Sequence, residues 1–350
     1  MKKILFASAA TLAMTAGVAS AQNITFSGDA RMGVVYTNQG AFLNRAAVAA
    51  VAPVFAAGPL PVDPAVLVTP GVAAVPAALG YGALGANVAS TMFSARARLN
   101  ITMKRTTDSG MEVGAKFRVD QGGAAVGNTA MTGGSVYIKG DFGTLTMGDI
   151  AGAVEGVTGN LPNIGFTEFG QRAQWLGNAG VAGGARTAVR YEYTFDGFTV
   201  MLSSDQLQSG AGKSGVAGIG VKYTFDGITV ALGHEQGKQA GVKASHTMLG
   251  VEAKIDMVTL KALYGEAKIG AAKLDQWGVS AVGTFDAIAV TGYYMKRLDE
   301  TTNYGIGASY SLGGGASLVG GVGRTTRNIV PTAGRSNSVT TADFGITMKF

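Results

Sequence analysis

The chain has 350 residues, 54 of them glycine, with no cysteine, a charged fraction of 14% and a formal net charge of +6. No disulfide framework, thiolate nucleophile or cysteine-ligated metal site is possible, and so small and scattered an excess of bases excludes a nucleic-acid surface. A mean hydropathy of +0.24 marks a chain more apolar than soluble proteins.

The N-terminus reads Met1-Lys2-Lys3, an apolar run from Ile4 to Val18, then Ala19-Ser20-Ala21. A charged start, a short apolar stretch and small residues before the cut predict a secretory signal peptide over 1–21. Cleavage would leave residues 22–350 with a net charge of +4 after the loss of Lys2 and Lys3. No clean transmembrane helix follows, so an apolar composition has to be accommodated in another way. Strands that are apolar on one face only, closed into a membrane barrel, resolve the conflict because hydropathy averages out along each of them.

Alternation predicts a first strand at 23–36. Thr37 to Ser90 then departs from the pattern, holding six of the eight prolines among alanine, valine and glycine. Residues 64–86 are uncharged, but Pro70 and Pro76 oppose a regular helix. The segment is expected to be a long external loop, disordered or capping the barrel mouth or a neighbour. A short plug that gates the pore is the alternative.

The following strands are expected at 92–106, 111–121, 134–140, 143–149, 186–195, 198–205, 215–225 and 228–236. Seven more, at 245–255, 258–268, 273–285, 288–297, 302–312, 316–327 and 338–350, bring the total to sixteen. Within this run Asp196, Asp226, Asp256 and Asp286 recur every thirty residues. The first two stand in Asp-Gly pairs, which favour the type I′ hairpin because it needs positive φ at both central residues. Short turns at one end and longer loops at the other are the outer-membrane barrel pattern, and sixteen strands suffice for an aqueous channel.

Period two also assigns faces. In the second strand Phe93, Ala95, Ala97, Leu99, Ile101 and Met103 face lipid, and Arg96, Arg98, Asn100, Thr102 and Lys104 face water. In the last, Phe344, Ile346, Met348 and Phe350 oppose Asp343, Gly345, Thr347 and Lys349. Tyr191, Tyr193, Phe195, Tyr223, Phe225, Phe285, Tyr310 and Phe350 share apolar parity at the short-turn end. They are expected to form a girdle at the periplasmic headgroup boundary.

Two chemical signals are set aside. Gly210 to Gly215 imitates a phosphate loop, but the leading glycine would have to be residue 207, which is Leu207. His234 and His246, the two histidines, are read as solvated side chains at loop edges, neither metal ligands nor catalytic bases. No cofactor and no enzymatic activity are expected.

"GSVYIKGDFGTLTMGDI", Gly134 to Ile150, resembles the strand-turn-strand before the inward-folded third loop of Gram-negative general porins, alphaproteobacterial type. Phe350 resembles the terminal aromatic by which such barrels are recognised by the assembly machinery. The resemblance implies an all-β, sixteen-stranded antiparallel transmembrane barrel with short periplasmic turns and long extracellular loops, exported by the Sec pathway. It further implies a homotrimer in outer-membrane lipid and lipopolysaccharide, forming a passive channel for ions and small hydrophilic solutes. A substrate-selective channel gated or plugged by 37–90 is the alternative. The third loop corresponds to 149–185, with acids Asp149, Glu155 and Glu168 and Arg172 as its first base. Lumen parity offers Arg31, Arg96, Arg98, Lys116 and Arg118 on the facing wall, and the acids and bases together form the expected pore constriction.

Overall fold

Alternating side chains and tight turns fold the chain into sixteen strands in the computed structural model, which describes residues 23–39, 88–122, 129–169, 173–176, 188–205, 215–239, 242–326 and 338–350. Residues 1–21, expected to be a signal peptide, all but the ends of the 37–90 connection, and Arg172 lie outside the described residues. The strands are β1 (Asn23–Gln39), β2 (Val88–Thr106), β3 (Glu112–Gly122), β4 (Thr129–Gly140), β5 (Gly143–Gly148), β6 (Ala188–Phe195), β7 (Phe198–Ser204) and β8 (Val216–Phe225). They continue as β9 (Ile228–Gln239), β10 (Val242–Ile255), β11 (Val258–Ile269), β12 (Ala272–Phe285), β13 (Ile288–Lys296), β14 (Thr302–Gly313), β15 (Ala316–Thr326) and β16 (Ser338–Lys349). Each pairs with its sequence neighbour, and β1 pairs antiparallel with β16, so the sheet closes without an edge. Beyond that ladder, Gly28 and Phe350 exchange two backbone hydrogen bonds of 3.0 and 3.2 Å, which fixes the C-terminus to the first strand.

The strands match the alternation to within a few residues, and two differences are informative. Gln39 pairs with Val88, so the long connection narrows to 40–87. Gln239 pairs with Val242, leaving only 240–241 between β9 and β10, where alternation had ended one strand at 236 and begun the next at 245. Backbone ladders extend past the apolar zone, and the polar side chains of Gln236, Lys238 and Lys243 conceal that extension in the sequence. The aspartates of the four repeated turns have φ of 42, 46, 49 and 49°, and Gly197 and Gly227 follow at 79 and 76°. Type I′ geometry is therefore complete at the Asp-Gly pairs; at Asp256-Met257 and Asp286-Ala287 the aspartate alone has positive φ.

The barrel is apolar on the outside. Phe93 is 89% exposed, and Leu99, Leu232, Leu249 and Phe344 are also exposed. An apolar exterior of this extent suits hydrocarbon, not water. Tyr193, Phe195, Phe198 and Tyr223 follow one another at 5.9, 5.6 and 4.2 Å near the Asp turns, the first pair tilted and the next two stacked. Phe225, Phe285, Tyr310 and Phe350 are exposed, whereas Tyr191 is half-buried and donates its hydroxyl to the Phe142 carbonyl. A second band, Trp277, Tyr294 and Tyr304, stacks at 5.0 and 6.2 Å toward the opposite end, and the sequence reading had not identified it.

Candidate functional site

After β5 the chain turns into the lumen. It forms the short helix α1 (Ala153–Thr158) and then a tight excursion closed by a bridge between Ile164 and Phe169. The Ala153 N–H donates to Ser203 Oγ at 2.7 Å, and Arg190 Nη1 donates to the Ala151 carbonyl at 3.1 Å, tying the start of the helix to β7 and β6. Val154, Leu161, Ile164, Ala173 and Trp175 are buried against wall residues Met248, Leu263, Tyr293 and Met295. The apolar core of this protein is therefore the seam between loop and inner wall.

Glycines make that seam possible. A Cβ at Gly220 would lie 2.6 Å from Val157 Cγ2, and one at Gly233 would lie 2.8 Å from Val154 Cγ1. Further round the barrel, Gly305 and Gly323 would meet Ile164 Cδ1 and Phe169 Cε2 at 2.5 Å each. Contacts that short do not accommodate a side chain, so part of the large glycine content provides a smooth bed for the loop.

On the opposite limb the loop meets the basic wall. Arg31 and Arg96 are direct cross-strand partners in the β1–β2 register, a like-charge pairing that destabilises a sheet unless it is compensated. Glu168 supplies compensation, with Oε2 3.8 Å from Arg31 Nη1 and 3.7 Å from Arg96 Nη1. These are ion-pair separations, longer than hydrogen bonds. Arg31 Nη1 also donates to the Phe166 carbonyl at 2.7 Å, and Arg96 Nη2 to Asp29 Oδ1 at 3.0 Å. Glu168 itself sits at φ 57°, in the left-handed region, so the turn that presents its carboxylate is a strained one.

One register step on, Arg98 Nε and Arg118 Nε lie 3.2 and 2.8 Å from Asp120 Oδ1. Lys116 lies over the Tyr137 ring at 5.5 Å. The structure therefore gathers Arg31, Arg96 and Glu168 into one cluster and Arg98 and Arg118 into an adjoining one. It does not bring the other two acids to these bases. Asp149 lies against Gly133 at the root of the loop, where even a Cβ on that glycine would overlap the carboxylate. Glu155 is in the first turn of α1, accepting from Asn160 Nδ2 at 3.3 Å, and α1 packs against β7 to β10.

Two groups of residues that hold the loop escaped the sequence reading. Asp343, recognised only as lumen-facing, is buried and accepts hydrogen bonds from the Thr167 N–H, at 2.7 Å, and the Thr167 hydroxyl. It clasps the tip of the loop next to Glu168. His246 is not solvated, as expected from its place near a strand end, but 0% exposed. Its parity turns it to the lumen, where Trp175 covers it at 6.1 Å between ring centres. Nδ1 lies 3.0 Å from Glu235 Oε1 and Nε2 3.0 Å from Gln276 Nε2. A histidine, a glutamate and a glutamine on three strands carry no spacing signature, so only the closed barrel reveals the group.

The family model described as "Gram-negative porin" matches residues 7–329. A protein named "Porin" from Rhodobacter capsulatus is 32% identical over 292 residues, 74% of this chain and 93% of that protein. Among solved structures, a porin refined at 1.8 Å is 26% identical, with a TM-score of 0.65 over 94% of this chain and 100% of the other. A triple mutant of Rhodopseudomonas blastica porin, 20% identical with a TM-score of 0.62 and the same coverage, shares the fold.

Proposed function

The chain belongs to the Gram-negative porin family and is an outer-membrane diffusion channel, and from that premise we propose that the 149–185 loop sets its filter against the β1–β3 wall. The observation that carries this reading is the Arg31–Arg96–Glu168 cluster, where a lumen loop places one carboxylate against two opposed guanidiniums. Arg98, Lys116 and Arg118 extend the basic side, and the acids Asp149 and Glu155 lie elsewhere along the loop. Fixed charges of one sign along a wall in a confined, low-dielectric passage produce a local field that orients water. Passing an apolar solute means disrupting that ordered water, whereas a small polar solute exchanges hydrogen bonds with it. Transport is passive, and no bond is made or broken.

The same reading includes export through the Sec pathway on the 1–21 leader, a homotrimer in lipid and lipopolysaccharide, barrel assembly through Phe350, and 37–90 as an external loop. It also assigns the aromatic residues at the Asp-turn end to the headgroup boundary.

Replacing Arg96 and Arg98 by glutamine tests the filter. Removing two cations while Asp29, Asp120 and Glu168 remain should move the reversal potential in a salt gradient toward cation selectivity. An unchanged reversal potential in planar bilayers would remove this wall from the filter.

A further inference from the structure

We propose that Glu235, His246 and Gln276 are positioning residues that form a latch for the returning limb of the loop, and that the latch closes only on a neutral imidazole. The proposal rests on the reading of this loop as the filter, and adds how the loop is held and what releases it.

The hydrogen-bond directions follow from one fixed point. The Gln174 backbone N–H donates to Gln276 Oε1 at 2.9 Å, and the Gln174 carbonyl accepts from Gln276 Nε2 at 2.7 Å. A backbone amide cannot exchange those roles, so the orientation of the Gln276 amide is set. Its nitrogen also faces His246 Nε2 at 3.0 Å. Since an amide NH₂ only donates, that ring nitrogen must accept. The ring proton is then on Nδ1, which donates to Glu235 Oε1 at 3.0 Å. The same carboxylate oxygen accepts the Leu176 N–H at 2.6 Å. The Gln174 N–H and carbonyl and the Leu176 N–H are all satisfied by this single assignment.

A second proton on His246 breaks the pattern. It would place a ring N–H against the Gln276 NH₂, two donors 3.0 Å apart with no acceptor between them. Turning the Gln276 amide over would relieve that contact, but it would face its oxygen to the Gln174 carbonyl and its NH₂ to the Gln174 N–H. No bulk water can compensate, because His246 and Gln276 are 0% exposed and Glu235 4%. A second proton therefore opposes the placement of the Gln276 amide that holds the Gln174 backbone.

The surroundings concentrate the effect on this residue. Glu235 on β9 is the charged group bonded to His246; β11 faces it with Gly265 and Ala267, β12 with Gln276, and the loop with Trp175. Gly265 is required, since a Cβ there would lie 2.7 Å from His246 Nε2 and 3.2 Å from Gln276 Cγ. Next along the network, Asp299 grips the Gln174 side chain, accepting from Nε2 at 3.1 Å and donating its N–H to Oε1 at 3.0 Å. Gln174 is thus the handle by which the barrel holds the loop.

The test compares the full-length protein with His246→Phe in planar bilayers at about pH 7.5 and about pH 5.5. The native channel should be quiet at the higher pH, with current noise and brief closures rising several-fold at the lower. His246→Phe should be noisy at both, with no step between them. The chain has no native cysteine, so a nitroxide on Asn163→Cys, an exposed loop position, reports the loop directly and should gain mobility over the same pH step. If His246→Phe fails to assemble, this titration decides alone. The latch is overturned if native noise and label mobility are the same at both pH values, or if His246→Phe keeps the native pH step. Absence of any native conductance would instead defeat the filter reading, while the label still reports whether the loop is released.

Discussion

Arg31 and Arg96 face each other across β1 and β2, and the sheet accommodates them only because Glu168 and Asp29 stand between and beside them. Replacing Glu168 by glutamine leaves the two guanidiniums uncompensated on the loop side. The expected outcome is a reversal potential shifted toward anions, with stability lowered by no more than about 1 kcal/mol because the pair is partly solvated. A reversal potential equal to the native one would show that Glu168 has no part in selectivity. The five bases and Glu168 were legible from strand parity and loop position. Asp343 was legible only as a lumen residue, because its role depends on Gly165 leaving space for its carboxylate; a Cβ there would lie 2.3 Å from Asp343 Oδ1. His246 was misread for a related reason. A position near a strand end suggests solvent, and nothing local indicates that a loop seventy residues earlier folds back over it.

At the level of elements, what the sequence conceals is the seam between loop and wall. Met248, Leu263 and Met295 are lumen-facing by parity yet apolar, because Val154, Leu161 and Trp175 cover them. In β10, Met248 and Leu249 are adjacent apolar residues, one against the loop and one exposed, so alternation looks interrupted where the structure keeps it intact. The turns, by contrast, were readable from four aspartates because a two-residue hairpin is a local solution. Glycine provides a paired test of the seam. Gly233→Ala drives a methyl into Val154 and should destabilise the folded barrel by about 1–3 kcal/mol through overpacking. Gly292→Ala, where the nearest atom to an added Cβ is the Gly305 carbonyl oxygen at 4.0 Å, should be neutral. Measured as unfolding midpoints in urea, equal shifts for both variants would mean that the loop does not rest on this bed.

Across the whole molecule, the usual arrangement of a globular protein is inverted. Large apolar side chains cover the outside, charges gather inside, and the buried apolar clusters among the described residues line the lumen beneath a loop. A soluble sandwich could share the alternation, but its exposed parity would be polar, so the distinction rests on which face meets hydrocarbon. The last strand can decide it. Nitroxides at cysteines replacing Phe344, Ile346 and Met348 in reconstituted membranes should be relaxed by oxygen, which partitions into lipid, and those at Thr347 and Lys349 by a polar quencher. The closed barrel adds an exception that a bare period of two would miss. Asp343 shares the water-facing parity but lies beneath Gly165 and Thr167, so a label there should be reached poorly by either agent. A smooth gradient along 343–349, or a fully quenched label at 343, would contradict a water-filled tube with a loop seated on its inner wall.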